Sequence, residues 1–137
     1  AKIKQQIQAE YNEWFESQYG DKTKEERQEL GQFFTPPVLT IKMLEKFASI
    51  KDKDILDPTV GAGGLLAACI IAGADPQRVY GIELDPKIAD ICKKRLSKFG
   101  VPEHHIKIGD ALDPASYWFP DENGNYESDY PNYLDTL

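Results

Sequence analysis

The sequence is short of histidine and cysteine, with two of each among 137 residues. His104 and His105 are adjacent, and neither Cys69 nor Cys92 has a Cys or His at ligand spacing. That excludes the usual structural zinc sites, which need convergent thiolates and imidazoles. Each cysteine sits inside an apolar helical pattern and reads as a buried, reduced thiol. The two histidines read as solvated residues of a polar turn. Long apolar runs are also missing. Nothing approaches the roughly 20 residues of a membrane-spanning helix, and Ala1-Lys2-Ile3-Lys4-Gln5 lacks an apolar stretch of the secretory kind. The expectation is a soluble cytoplasmic protein with no membrane partner and no metal site.

Basic residues are absent from the end of the chain. Residues 113–137 carry six acids (Asp113, Asp121, Glu122, Glu127, Asp129 and Asp135) and no Lys or Arg, so most of the net charge of −7 lies there. Residues 1–112 hold 17 acids and 16 bases. Neither part offers the clustered cations that phosphate backbones require, so a grip on nucleic acid would come from elsewhere.

What is present is a pattern of alternating elements. Ile3, Ile7, Tyr11, Trp14, Phe15 and Gln18 fall at steps of three and four and predict a helix over 3–19. Its aromatic stripe reads as core or helix-helix contact. Residues 21–30 are charged and suit a short solvated helix or loop, broken at Gly31. Thr35 before Pro36-Pro37 marks a helix start, and Ile41, Leu44, Phe47 and Ala48 share one face over 37–50. Ile55-Leu56 is a short strand, and Leu65 to Ala72 a buried helix. After the Asp75-Pro76 turn, Val79 to Leu84 is a second strand. Residues 87–99 form a helix with Ile88, Ile91, Cys92, Leu96 and Phe99 inward and Lys93, Lys94, Arg95 and Lys98 outward, ended by Gly100. Ile106 to Ile108 is a third strand. Strands alternating with helices imply βαβ units, a parallel sheet with helices on both faces and right-handed crossovers. The last 25 residues show no period and read as an acidic loop or tail. The expected division is a helical segment 1–30, an α/β domain 31–112 and the tail 113–137.

Ligands of parallel α/β sheets bind beyond the C-terminal ends of the strands, and three features fall there. In Asp57-Pro58-Thr59-Val60-Gly61-Ala62-Gly63-Gly64, Gly61 and Gly63 permit close backbone approach and positive φ, and the amides of a helix N-terminus suit an anionic or carboxylate group. Glu83 ends the second strand 22 residues after Gly61, where a carboxylate accepts bonds from ribose hydroxyls. Asp85 is a rival, but its place before Pro86 makes it a helix cap. Asp110 ends the third strand and reads either as an acceptor for an exocyclic amino group such as adenine's or as a turn cap, with Leu84 and Ala111 available for contact with a base. A dinucleotide site prefers a third glycine where Leu66 stands, and it needs neither Asp57 nor Asp110. Adenosine with an amino-acid tail fits better than a pyrophosphate.

The run Asp57-Pro58-x-x-Gly61-x-Gly63 resembles the cofactor-binding motif of the adenine-N6 DNA methyltransferases, which include modification subunits of restriction systems. Gly31-Gln32-Phe33-Phe34-Thr35-Pro36 is similar to the segment those enzymes place over the methionine part of S-adenosylmethionine. The resemblance covers about residues 30–112. It implies a partial Rossmann-like methyltransferase fold, with Phe34 and Thr35 at the methionine end, Asp57 orienting the glycine loop or the ammonium group, Glu83 on the ribose, and Leu84, Asp110 and Ala111 at the adenine. Thr35 could serve as a helix cap as well. Similar enzymes activate adenine N6 with an Asn or Asp followed by Pro-Pro and an aromatic residue, against which the flipped base stacks. That tetrapeptide does not occur; Tyr130-Pro131-Asn132-Tyr133 has comparable letters in the wrong order. The expectation is therefore a donor-binding part that is inactive alone, with a fourth strand and the catalytic motif following Leu137, DNA held by parts outside this chain, and restriction-modification subunits as partners. The first strand would then need a cover for its free edge. The alternative is a non-catalytic interaction module with the same fold.

Overall fold

The structure, a computed structural model, describes residues 2–47 and 49–126. Ala48, the last three acids of the tail and Tyr130-Pro131-Asn132-Tyr133 lie outside the described residues.

Three helices precede the sheet: α1 (Lys2–Tyr19), α2 (Lys24–Phe33) and α3 (Pro37–Glu45). A capping box starts α2: Thr23 accepts from the Glu26 amide, and the Glu26 side chain accepts from the Thr23 amide. Gly31 does not break this helix but lies inside it, since a backbone ladder already under way tolerates a single glycine at about 1 kcal/mol. The N-cap of α3 is Pro36, with no side-chain bond. Thr35 is thus not the cap, because Pro37 at the first helical position sets the boundary one residue later. The buried residues of α3 are Pro37 and Thr40; Phe47, expected on the inner face, is 47% exposed because the helix ends at Glu45.

The α/β part runs β1 (Ile55–Asp57), α4 (Gly64–Ile71), β2 (Val79–Glu83), α5 (Pro86–Ser97) and β3 (Ile106–Ile108). The strands pair in parallel in the order β1-β2-β3. Alternation sorts their side chains between two faces. Ile55, Val79 and Ile106 join Leu66 and Cys69 of α4 and Cys92 and Leu96 of α5 in the main core. Leu56, Tyr80 and Ile82 face the other way, under Tyr117 and the fully buried Phe119. The start of the acidic segment is therefore built structure: a 3-10 helix at Pro114–Tyr117, pinned where the Lys107 ammonium donates to the carbonyls of Ala115 and Trp118 at 2.8 and 2.7 Å.

Both cysteines are buried and free, and burial pushes their thiols up to about 11 (Cys69) and about 12 (Cys92). His105 is not solvated. It is 6% exposed, its Nδ1 lies 3.0 Å from the Val79 carbonyl, and its ring stacks on Tyr80. Burial lowers its pKa to about 4, which keeps the ring neutral with Nδ1–H as donor. On its outer side β1 has no partner strand among the described residues, and Phe47, Ile50, Ile55 and Leu56 line a groove there. No described helix is long and apolar enough to cross a membrane.

Candidate functional site

The turn between β1 and α4 is held from both ends. The Val60 amide donates to the Ile82 carbonyl at 2.9 Å, tying the turn to the neighbouring strand. Gly63 occupies φ +90°, and a Cβ there would stand 3.0 Å from Cys92 Sγ. Its lack of a side chain therefore serves the packing of the turn on α5. Gly61, at φ +55°, has open space where its Cβ would be, so this glycine is the one that lets a ligand approach the backbone. Glu83 joins two loops: Oε1 accepts from the Gly61 amide at 3.1 Å and Oε2 from the Asp85 amide at 2.8 Å. A carboxylate offers about four acceptor positions, so each oxygen can still take a bond from a ligand hydroxyl.

Four Asp-Pro pairs make the same local bond. Asp75, Asp85 and Asp113 each accept from the amide two residues on and start a helical turn. Asp57 does so as well, with Thr59 at 3.0 Å. It differs in being partly buried at the end of β1. Burial raises its pKa above the ordinary carboxylate range, opposed by its bonds with Thr59 and reinforced by the nearby Glu83 charge. A buried acid in this position favours a cation beside it.

The N-terminal helices close the other side. Trp14, Phe34 and Ala62 form a buried cluster, with the Trp14 and Phe34 rings edge-on at 5.2 Å. Arg95, expected to point outward from α5, is 4% exposed. Its Nε and Nη2 reach both carboxylate oxygens of Glu10 at 2.9 and 2.5 Å, and its guanidinium lies 4.2 Å over the Trp14 ring. The partner is 85 residues away in sequence, so periodicity along α5 alone could not reveal it. The one available signal was Glu10 itself, an acid four residues before Trp14 on the buried side of α1.

Together these residues enclose a cavity of about 300 Å³, at the small end of ligand pockets. Of the residues singled out from the sequence, Phe34, Thr35, Asp57, Gly61 and Glu83 line it. Tyr11, Phe33, Met43 and Arg95, which the sequence reading passed over as site residues, line it too, as does Asp85. Pro58, Gly63, Leu84, Asp110 and Ala111 do not. Asp110 is exposed beyond β3, where Oδ1 accepts from the Leu112 amide at 2.9 Å and so makes a turn cap.

Residues 5–123 match the family described as N-6 DNA Methylase. The chain belongs to that family. The methyl donor of N-6 DNA methylases is S-adenosylmethionine. Among curated relatives of this N-6 DNA methylase chain, the tRNA (guanine(10)-N2)-dimethyltransferase of Pyrococcus abyssi (strain GE5 / Orsay) is 39% identical over 59 residues, 43% of this chain and 17% of that protein. The Type II methyltransferase M.CvrRI of Paramecium bursaria Chlorella virus XZ-6E is 31% identical over 71 residues, 52% of this chain and 18% of that one. This chain thus spans less than a fifth of the length of either. A solved RNA methyltransferase from Salinibacter ruber, in complex with S-adenosyl-L-homocysteine, aligns with TM-score 0.47 and 27% identity over 58% of this chain and 52% of its own.

Proposed function

We infer that this chain is the donor-binding part of a DNA adenine-N6 methyltransferase and that the cavity between the glycine turn and the N-terminal helices takes S-adenosylmethionine. The observation that carries the reading is the pairing of Asp57 and Glu83 across one open glycine backbone, with Gly61 bonded to Glu83 at 3.1 Å. The donor has cationic sulfonium and ammonium groups, a carboxylate and a ribose diol. Asp57 suits the cations, and the spare acceptor positions of Glu83 suit the diol. Phe34 and Thr35 line the same cavity and would hold the methionine end. In this reading the adenine extends past Leu84 toward Ala111 and Asp110, whose second oxygen takes the exocyclic amino group.

When bound, S-adenosylmethionine supplies the methyl group. The described residues bind and orient it, and nothing in the sequence matches the Asn/Asp-Pro-Pro-aromatic motif that accepts the adenine amino hydrogens in similar enzymes. The 137-residue chain therefore binds donor without transferring methyl. Two tests apply. Calorimetry with S-adenosylmethionine or S-adenosylhomocysteine gives saturable binding, weakened strongly by Asp57→Ala or Glu83→Ala; no binding at millimolar ligand overturns the site. For the substrate, the chain is expressed with whatever its gene encodes after Leu137 and incubated with donor, unmethylated plasmid and tRNA. N6-methyladenine in the DNA supports the reading; methylated guanosine in tRNA alone overturns it.

A further inference from the structure

Three of the charged residues on the cavity wall are acids, Asp57, Glu83 and Asp85, and one is a base, Arg95. We propose that Arg95 is the specificity determinant for the donor's amino-acid end: its guanidinium receives the ligand carboxylate, and Glu10 holds it in position. The proposal rests on the donor reading above and adds to it a residue and a selectivity.

The guanidinium of Arg95 has five N–H groups. Nε and Nη2 are engaged by Glu10 as a planar fork. Nη1 has a single bond, to the Ala62 carbonyl, and at 3.4 Å it is long for N–H···O. This nitrogen sits beside the glycine turn, 3.7 Å from where a Gly64 Cβ would be, and the open Gly61 backbone lies in the same cavity. The one end of the guanidinium that Glu10 leaves weakly satisfied is thus beside the turn where a ligand meets the protein. Among the described residues lining the cavity no other Lys or Arg can answer a carboxylate. A ligand with two positive groups, a ribose diol and one carboxylate then meets complementary groups: Asp57 for the cations, Glu83 for the diol and Arg95 for the carboxylate.

A purely structural Arg95 would staple α1 to the turn and act alike on every ligand, so the test is a ratio. Binding to the 137-residue chain is measured by calorimetry for S-adenosylmethionine and for its decarboxylated analogue, which lacks only the carboxylate. Wild type prefers the carboxylated ligand by about 10-fold to 100-fold, the range of a charged hydrogen bond. Removing one partner of a buried pair risks unfolding, so the informative variant is Glu10→Gln with Arg95→Met, its fold checked by circular dichroism. In that variant the preference drops below about threefold while the analogue binds nearly as before. An unchanged ratio in the double variant or a ratio near one in wild type overturns the proposal. Failure of wild type to bind either ligand overturns the donor reading instead.

Discussion

The two ends of the sheet's upper edge carry the same kind of residue and treat it differently. Asp57 and Glu83, leaving β1 and β2, are partly buried, and Tyr11 and Phe34 of the N-terminal segment wall them in together with Arg95 of α5. Asp110, leaving β3, is exposed, with Leu112 beside it 91% exposed. All three accept a bond from an amide close by. A strand-end acid becomes a binding group when a second layer closes over it, because exclusion of water strengthens its pairing with a cation. The helices of residues 2–45 are that layer at the β1 end.

The contrast can be broken most forcefully at Glu83. Glu83→Ala leaves the Gly61 and Asp85 amides without their acceptor. It should abolish donor binding in calorimetry and cost about 1–3 kcal/mol in denaturant unfolding, the range for lost hydrogen bonds to a charged group. Asp57→Asn keeps the turn bond and removes the charge, so donor affinity should fall about 10-fold or more with little change in melting temperature. The same residue predicts a pH effect. Burial keeps its carboxyl above the ordinary range, so the free protein takes up a proton at a pH where most aspartates are ionised. A protonated Asp57 cannot pair with a cation. Affinity should be flat above that raised pKa and decline as pH falls through it, a decline absent in Asp57→Asn. At the other end, Asp110→Asn should change affinity by only a few-fold, since solvent competes there.

The smallest effect on binding is expected at His105, at the opposite end of β3. Its folded pKa of about 4 lies below the ordinary value of 6.5. The unfolded chain therefore protonates first, and stability is lost as pH drops from 6.5 toward 4. His105→Phe should flatten that part of a melting-temperature profile and leave donor affinity near pH 7 unchanged.

Much of this was legible in the sequence because it is local. β3 falls at 106–108 as the apolar run predicts, and Asp85 caps α5 as its place before Pro86 implies. The residues that line the first half of the cavity were legible for a second reason: a glycine turn and strand-end acids have chemical signatures. The misreadings have a common cause. Arg95, His105 and Phe119 are buried by partners 85 residues, 26 residues and more than 35 residues away, and pattern reading along one element treats charge as solvent-facing and a period-free run as loop. Gly31 and Thr35 failed for smaller reasons: α2 carries on through one tolerated glycine to Phe33, and Pro36 rather than a hydroxyl caps α3.

The central claim is that Asp57 and Glu83 act on one ligand in one pocket. The direct measurement is a calorimetric titration of S-adenosylmethionine into wild type, Asp57→Asn, Glu83→Ala and Asp110→Asn at pH 7.5. The account predicts saturable binding in wild type, a loss of about 10-fold or more in the first two variants and a few-fold change in the third. Binding that survives in both Asp57→Asn and Glu83→Ala, or that is lost only in Asp110→Asn, would contradict it.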